Sequence, residues 1–98
     1  MNMQTMMKQA QALQKDMMKI KEELDNSEFE GESSLVKVKI NGKKEVLDVT
    51  IDSSNDLAKD DIEMLQDMII VAINSANKKV DEATNEKMSK FGNIPGLF

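Results

Sequence analysis

Apolar residues recur through the first quarter of the chain at alternating spacings of three and four: Met3, Met6, Ala10, Leu13, Met17, Ile20 and Leu24. This is the a/d seam of a helix that packs on another helix. It predicts a helix from about Asn2 to Asp25, ended by Asn26-Ser27. One copy of a 98-residue chain has little interior in which to hide such a stripe, since a domain of this size buries only roughly 60–65% of its unfolded surface. The seam therefore points to assembly with a second copy.

The period then changes to two. Glu28-Phe29-Glu30-Gly31-Glu32 alternates acids with apolar or small residues and reads as a short edge strand, its charges guarding against edge pairing. Val36, Val38 and Ile40 alternate with Lys37 and Lys39, Asn41-Gly42 signals a turn, and Leu47, Val49 and Ile51 alternate with Asp48 and Thr50 on the return. A two-residue loop opposes Val36 to Leu47 and sets Lys39 against Lys44; a four-residue loop opposes Val36 to Val49 and Lys37 to Asp48. The second register is preferred because it replaces a like-charge pair with an attractive one. Both registers keep the same inner face.

A helical period returns after a connector at 53–58. Asp60-x-x-Glu63 resembles a capping box. Ile62, Leu65, Ile69, Ala72, Ala76, Val80 and Ala83 then form one stripe, which predicts a long helix to about Phe91 with Gly92 as its stop. Ile70, Val71 and Ile73 spread apolar surface round this helix, so it should be covered on more than one side, by the sheet and by a second subunit. The expectation is a single α+β domain of order αβββα over 1–98: a helical arm at 1–25, a three-stranded antiparallel sheet at 28–52, a long helix at 60–91 and a loose tail at 92–98. The inner face of the sheet (Val36, Val38, Ile40, Leu47, Val49, Ile51) should pack on the second helix.

Composition narrows the chemistry. Cys, His, Trp and Tyr are absent, which removes disulfides, thiolate nucleophiles and thiolate metal sites. The acids Asp60, Asp61, Glu63 and Asp67 suit the start of a helix, and their spacing is not that of a calcium loop. No cofactor and no metal are expected, and no motif supports an enzyme. The longest apolar run, Met68 to Ile73, is far short of a membrane span. No basic-then-apolar leader opens the chain, so the expected compartment is the cytoplasm.

The net charge of −5 by itself argues against nucleic acid, but its distribution is uneven. Residues 1–21 hold four Lys and one Asp, 22–34 hold six acids, and 35–44 hold four Lys. Every cation is Lys, a residue better suited to touching phosphates than to bidentate reading of guanine.

Several stretches carry a resemblance: Met7-Lys8-Gln9-Ala10-Gln11, Gly31-Glu32-Ser33, Leu35 to Gly42, Asp60 to Asp67, and Ala72-Ile73-Asn74-Ser75-Ala76. Taken in order they resemble the YbaB/EbfC family of small bacterial nucleoid-associated proteins, over nearly the whole chain. The resemblance implies a tight homodimer with helices projecting like tweezers. It also implies binding of double-stranded DNA through those arms in the nucleoid, with no enzymatic activity and no cofactor. The chain departs from the family in having no Arg and only a short C-terminal tail, which leaves fewer positive contacts.

With Met3 at position a, Lys8 and Lys15 fall at f and Lys19 at c, opposite the seam. They are the leading DNA contacts, although such positions are also charged merely for solubility. Gln4 and Gln11 stand nearby. Lys37, Lys39, Lys43 and Lys44 read as a solvated sheet face and turn. Lys78, Lys79, Lys87 and Lys90 are auxiliary contacts; Lys78 can pair with Glu82, and Glu86 with Lys90, one turn apart. The dimer is assigned to Met6, Leu13, Met17, Ile20, Ile70 and Ile73. Met7 and Met18 lie off the seam, where they could widen the dimer contact or meet a protein partner. The competing function is a dimeric scaffold for a replication, repair or translation partner, favoured by the acidic balance.

Overall fold

The computed structural model of the chain describes residues 2–52 and 59–91. A first helix, α1 (Met3–Asp25), leads into three strands, β1 (Glu28–Ser33), β2 (Val36–Asn41) and β3 (Val46–Ile51). A short 3-10 turn (Lys59–Asp61) opens the second helix, α2 (Ile62–Met88), and another (Ser89–Phe91) closes it. The expected connector, the Gly92 stop and the tail lie outside the described residues.

α1 starts where a cap is available. The Asn2 side chain accepts a hydrogen bond from the Thr5 backbone N–H at 2.8 Å, which satisfies one of the amides that a helix start leaves open. α2 starts differently from the expected capping box. Asp61, not Asp60, holds the cap position, with helical backbone angles and no side-chain cap bond.

The sheet is antiparallel in the order β1-β2-β3. Its hairpin register corrects the expected one by two residues: Val36 faces Ile51, Val38 faces Val49, and Lys39 faces Asp48. The reason is a bulge. Ile40 pairs with Val46, so Leu47 is an extra residue, and Lys44 takes a left-handed turn conformation (φ 66°). The attractive Lys-to-Asp pairing is kept, but through Lys39.

α2 lies across β1 and β2. The core is Val36, Val38 and Ile40 from β2 against Ala72, Ala76 and Val80 of α2, with Phe29, Leu65, Met68, Ile69 and Ile73 packed at its margin. Gly31 is the closest approach of strand to helix: a Cβ there would lie 2.7 Å from the Ala76 nitrogen and would collide with the Ala72 carbonyl oxygen. Small residues on both sides let the two backbones meet.

β3 does not share this cover. Leu47, Val49 and Ile51 were expected on the helix, yet they are 51%, 42% and 38% exposed. Strands stand about 4.8 Å apart and a helix with its side chains is about 10–12 Å wide. One helix therefore roofs about two strands and leaves the third bare.

The β2–β3 turn ties the helices together. Gly42 sits on the backbone of Leu24 and Asp25 at the end of α1, and Lys44 in the same turn pairs with Asp81 of α2 at 2.9 Å. Two turns outward along each helix, Met17 and Met88 are both buried. α1 thus runs antiparallel to the second half of α2, and the two touch. Met17 and Leu24, 6% and 4% exposed, close the inner part of the seam inside one copy, while Met3, Met6 and Leu13 stay exposed, in keeping with a stripe that one copy has little interior to hide. The outer part, Met3 to Leu13, continues past the end of α2. The molecule is accordingly 71 Å long with a radius of gyration of 19.5 Å, against about 13 Å for a compact chain of this length.

Candidate nucleic-acid interface

The arm is the first half of α1. Lys8, Lys15 and Lys19 are all exposed on it, and among the described residues none of the three enters an ion pair. They form one ridge about 16 Å long, at a rise of about 1.5 Å per residue. Asp16 is the one acid between Asn2 and Lys21. Lys21 is different: it pairs with Asp25 one turn on, at 3.0 Å.

The sheet lysines are engaged in the fold. Lys37 pairs with Glu32 at 3.4 Å, and Lys39 with Glu28 at 3.7 Å. The outer sheet face is thus a row of acids on β1 answered by lysines on β2. Lys43 stands in a turn organised by Asn41, whose side-chain oxygen accepts from the Lys43 and Glu45 amides.

The auxiliary set divides. Lys79 Nζ donates to the Glu30 carbonyl oxygen at 2.7 Å, fastening α2 to β1 beside Gly31, which leaves it a structural task. Lys78 and Lys87 are exposed on α2, and among the described residues the expected Lys78–Glu82 pair does not form. Lys90 lies in the closing 3-10 turn. The charged groups available to an anion therefore concentrate on the arm.

The residues assigned to a dimer also divide. Met17 is buried within its own chain, and Ile20 and Ile73 are half-buried. Met6, Leu13 and Ile70 are 55%, 41% and 56% exposed. The sequence reading placed Val49 and Ile51 under α2, whereas β3 presents them, with Val46, as a bare face beside exposed apolar residues of α2 such as Val71. Two strand faces, those of β2 and β3, were expected under α2, whereas the helix lies over β1 and β2.

Among the described residues no group of three or more acids is placed to hold a metal ion, and no helix is long and apolar enough to cross a membrane.

The fold is thus an α+β unit with a protruding lysine-bearing helix and a bare apolar flank, and comparison with known proteins gives its class as a DNA-binding family. Residues 1–94 match the YbaB/EbfC DNA-binding family, and the chain belongs to that family. It is 53% identical to a nucleoid-associated protein of Bacillus licheniformis, over 99% of this chain and 94% of that one. It is 45% identical to a nucleoid-associated protein of Ligilactobacillus salivarius, over 99% and 95%. Among solved structures it resembles an uncharacterized protein from Helicobacter pylori, at a TM-score of 0.69 and 26% identity, covering 93% of this chain and 95% of that one.

Proposed function

We propose that this chain is a non-enzymatic, nucleoid-associated protein that acts as a homodimer and grips duplex DNA by its phosphates. The observation that carries the reading is the ridge of exposed lysines, Lys8, Lys15 and Lys19, which among the described residues enter no ion pair, on a helix whose outer half is exposed. Lys78, Lys87 and Lys90 add weaker contacts. The acids at the start of α2 repel phosphate, so DNA meets the arms rather than that flank.

The dimer joins the bare face of β3, and the exposed apolar residues of α2 such as Ile70, to the same surfaces of a second copy. The exposed part of the α1 seam, Met6 and Leu13, adds to this contact near the arms. A second helix over Val49 and Ile51 would complete the roof that one copy leaves unfinished. Two copies then present six arm lysines.

Phosphate contacts position a protein without reading sequence. Binding is therefore weakly sequence-selective and strongly salt-dependent. Each neutralised phosphate adds about −0.9 to the slope of log K against log salt, so six give about −5. The test is a titration of fluorescent duplex with protein at several salt concentrations. A steep slope shared by unrelated sequences supports the reading. No binding even at low salt would overturn it and favour the protein-scaffold alternative.

A further inference from the structure

The arm carries a second line of side chains beside the lysines. Met7, Gln11, Gln14 and Met18 lie at intervals of four, three and four, which places them on one helix face. Each is exposed, Met7 by 58% and Met18 by 65%. This face is about a quarter-turn from the line through the buried Met17 and Leu24, so packing against α2 does not cover it. Three of the four residues are followed at once by a lysine: Met7-Lys8, Gln14-Lys15 and Met18-Lys19. Every lysine of the ridge thus stands about 100° round the helix from a neighbour in the stripe.

We propose that this stripe lies in the major groove of duplex DNA, with Met7, Gln11, Gln14 and Met18 against base edges while Lys8, Lys15 and Lys19 hold phosphates along one rim. The inference rests on the DNA-binding reading above and specifies which face of the arm enters the duplex. An α-helix fits the major groove, which is about 12 Å wide. Charge selects this occupant, since lysines border the stripe along its length and its near end is closed by Glu22 and Asp25. An open hollow here is lined by Gln11, Gln14, Lys15, Met18, Lys19 and Lys21, with Asp16 the one acid among them, and it reaches Glu22 and Asp25. Glu22 repels phosphate, while Asp25 is held by Lys21 at 3.0 Å, and together they set the inner limit of the contact. From Met7 to Met18 the stripe covers about 16 Å, or roughly five base pairs at about 3.4 Å each.

The residue types suit contact with any sequence. Gln both donates and accepts, so it can meet either kind of polar base edge. The unbranched Met side chain adapts to an irregular floor and to thymine methyl groups. The stripe deepens binding without demanding a particular site.

The experiment compares the full chain with the variant M7A/Q11A/Q14A/M18A on plain duplex, on duplex preoccupied by methyl green in the major groove, and on duplex preoccupied by netropsin in the minor groove. All four substitutions are neutral and exposed, and Ala is a strong helix former; circular dichroism checks that helicity is kept. The parent chain is expected to bind methyl-green duplex at least about fivefold more weakly than plain duplex, and netropsin duplex unchanged. The variant is expected to bind plain duplex at least about fivefold more weakly, in line with the loss of one good base contact. Its salt slope should be the parent's, because no charge is removed.

Parent binding that ignores methyl green, or that responds to netropsin instead, overturns the groove assignment and leaves DNA binding standing. A variant that binds like the parent, or that changes sedimentation, also overturns it, the latter because the stripe would then face a second copy. A parent that binds no DNA at any salt overturns the DNA reading and this inference with it.

Discussion

Gly31 of β1 rests directly on Ala76 of α2: a Cβ on the glycine would stand 2.7 Å from the Ala76 backbone nitrogen. The same Cβ would collide with the Ala72 carbonyl oxygen, and both atoms belong to a regular helix that cannot give way locally. Gly31→Ala is therefore expected to cost about 1–3 kcal/mol, the range for overpacking a filled site. Urea unfolding checks it, with the exposed neighbour Glu30→Ala as the control, expected within about 0.5 kcal/mol of the parent. Equal midpoints for parent and Gly31→Ala would mean that strand and helix are not in contact at this crossing.

The arm depends on its cap. The Asn2 side chain accepts from the Thr5 amide and from the Thr5 hydroxyl, each at 2.8 Å. Asn2→Ala is expected to weaken the helix start by about 1 kcal/mol. Because Met3 to Leu13 have little else to rest on, the effect should appear as faster hydrogen exchange in the first turns of α1. Global stability should hardly move, and exchange unchanged at Thr5 and Met6 would show that the cap carries no weight.

Much of this architecture was legible in the sequence because each element carries a clean period. The heptad from Met3 to Leu24 marks α1, the alternation around Lys37 and Lys39 marks β2, and the stripe through Ala72, Ala76 and Val80 marks α2. What the pattern could not supply was the identity of each partner. Met17 and Met6 occupy the same seam, yet one is 6% exposed and the other 55%. The difference is set by where α2 ends, which is a tertiary fact. The hairpin register failed for a local reason: a period of two cannot reveal the bulge at Leu47, since one extra residue leaves apolar side chains on both sides of it. On the arm, the exposure of Lys8, Lys15 and Lys19 follows from their heptad positions opposite the seam, whereas the bond from Lys79 to the Glu30 carbonyl oxygen spans 49 residues and leaves no local trace.

The bare strand gives a test of assembly. Val49 is 42% exposed in a single copy, whereas Val38, paired with it on β2, is fully buried. Val49→Asp should leave the single copy folded, because its charge stays in water. In a dimer the same charge would be buried without a partner, at a cost of several kcal/mol. The expected result is sedimentation as a monomer with unchanged circular dichroism, and Val38→Asp is expected to unfold the chain. A Val49→Asp variant that still sediments as the parent does would place the dimer contact elsewhere.

The sharpest test of the arm is to reverse its charge. Lys8, Lys15 and Lys19 are exposed and free of ion pairs among the described residues, so replacing all three with Glu removes no packing. Stability should change little, since substitutions at exposed sites usually shift it by no more than about 0.5 kcal/mol each. Binding should respond strongly, because a dimer would exchange six attractive contacts for six repulsive ones. The expected outcome is loss of duplex binding at low salt, with melting and sedimentation like the parent's. A parallel Lys37→Glu/Lys39→Glu variant separates position from net charge. These lysines already pair with Glu32 and Glu28 on the outer sheet face, so their reversal should weaken DNA binding only modestly. If the two variants lost binding equally, overall charge rather than the arm would govern attachment. If the arm variant bound as the parent does, the lysine ridge would be a solvated face and nothing more.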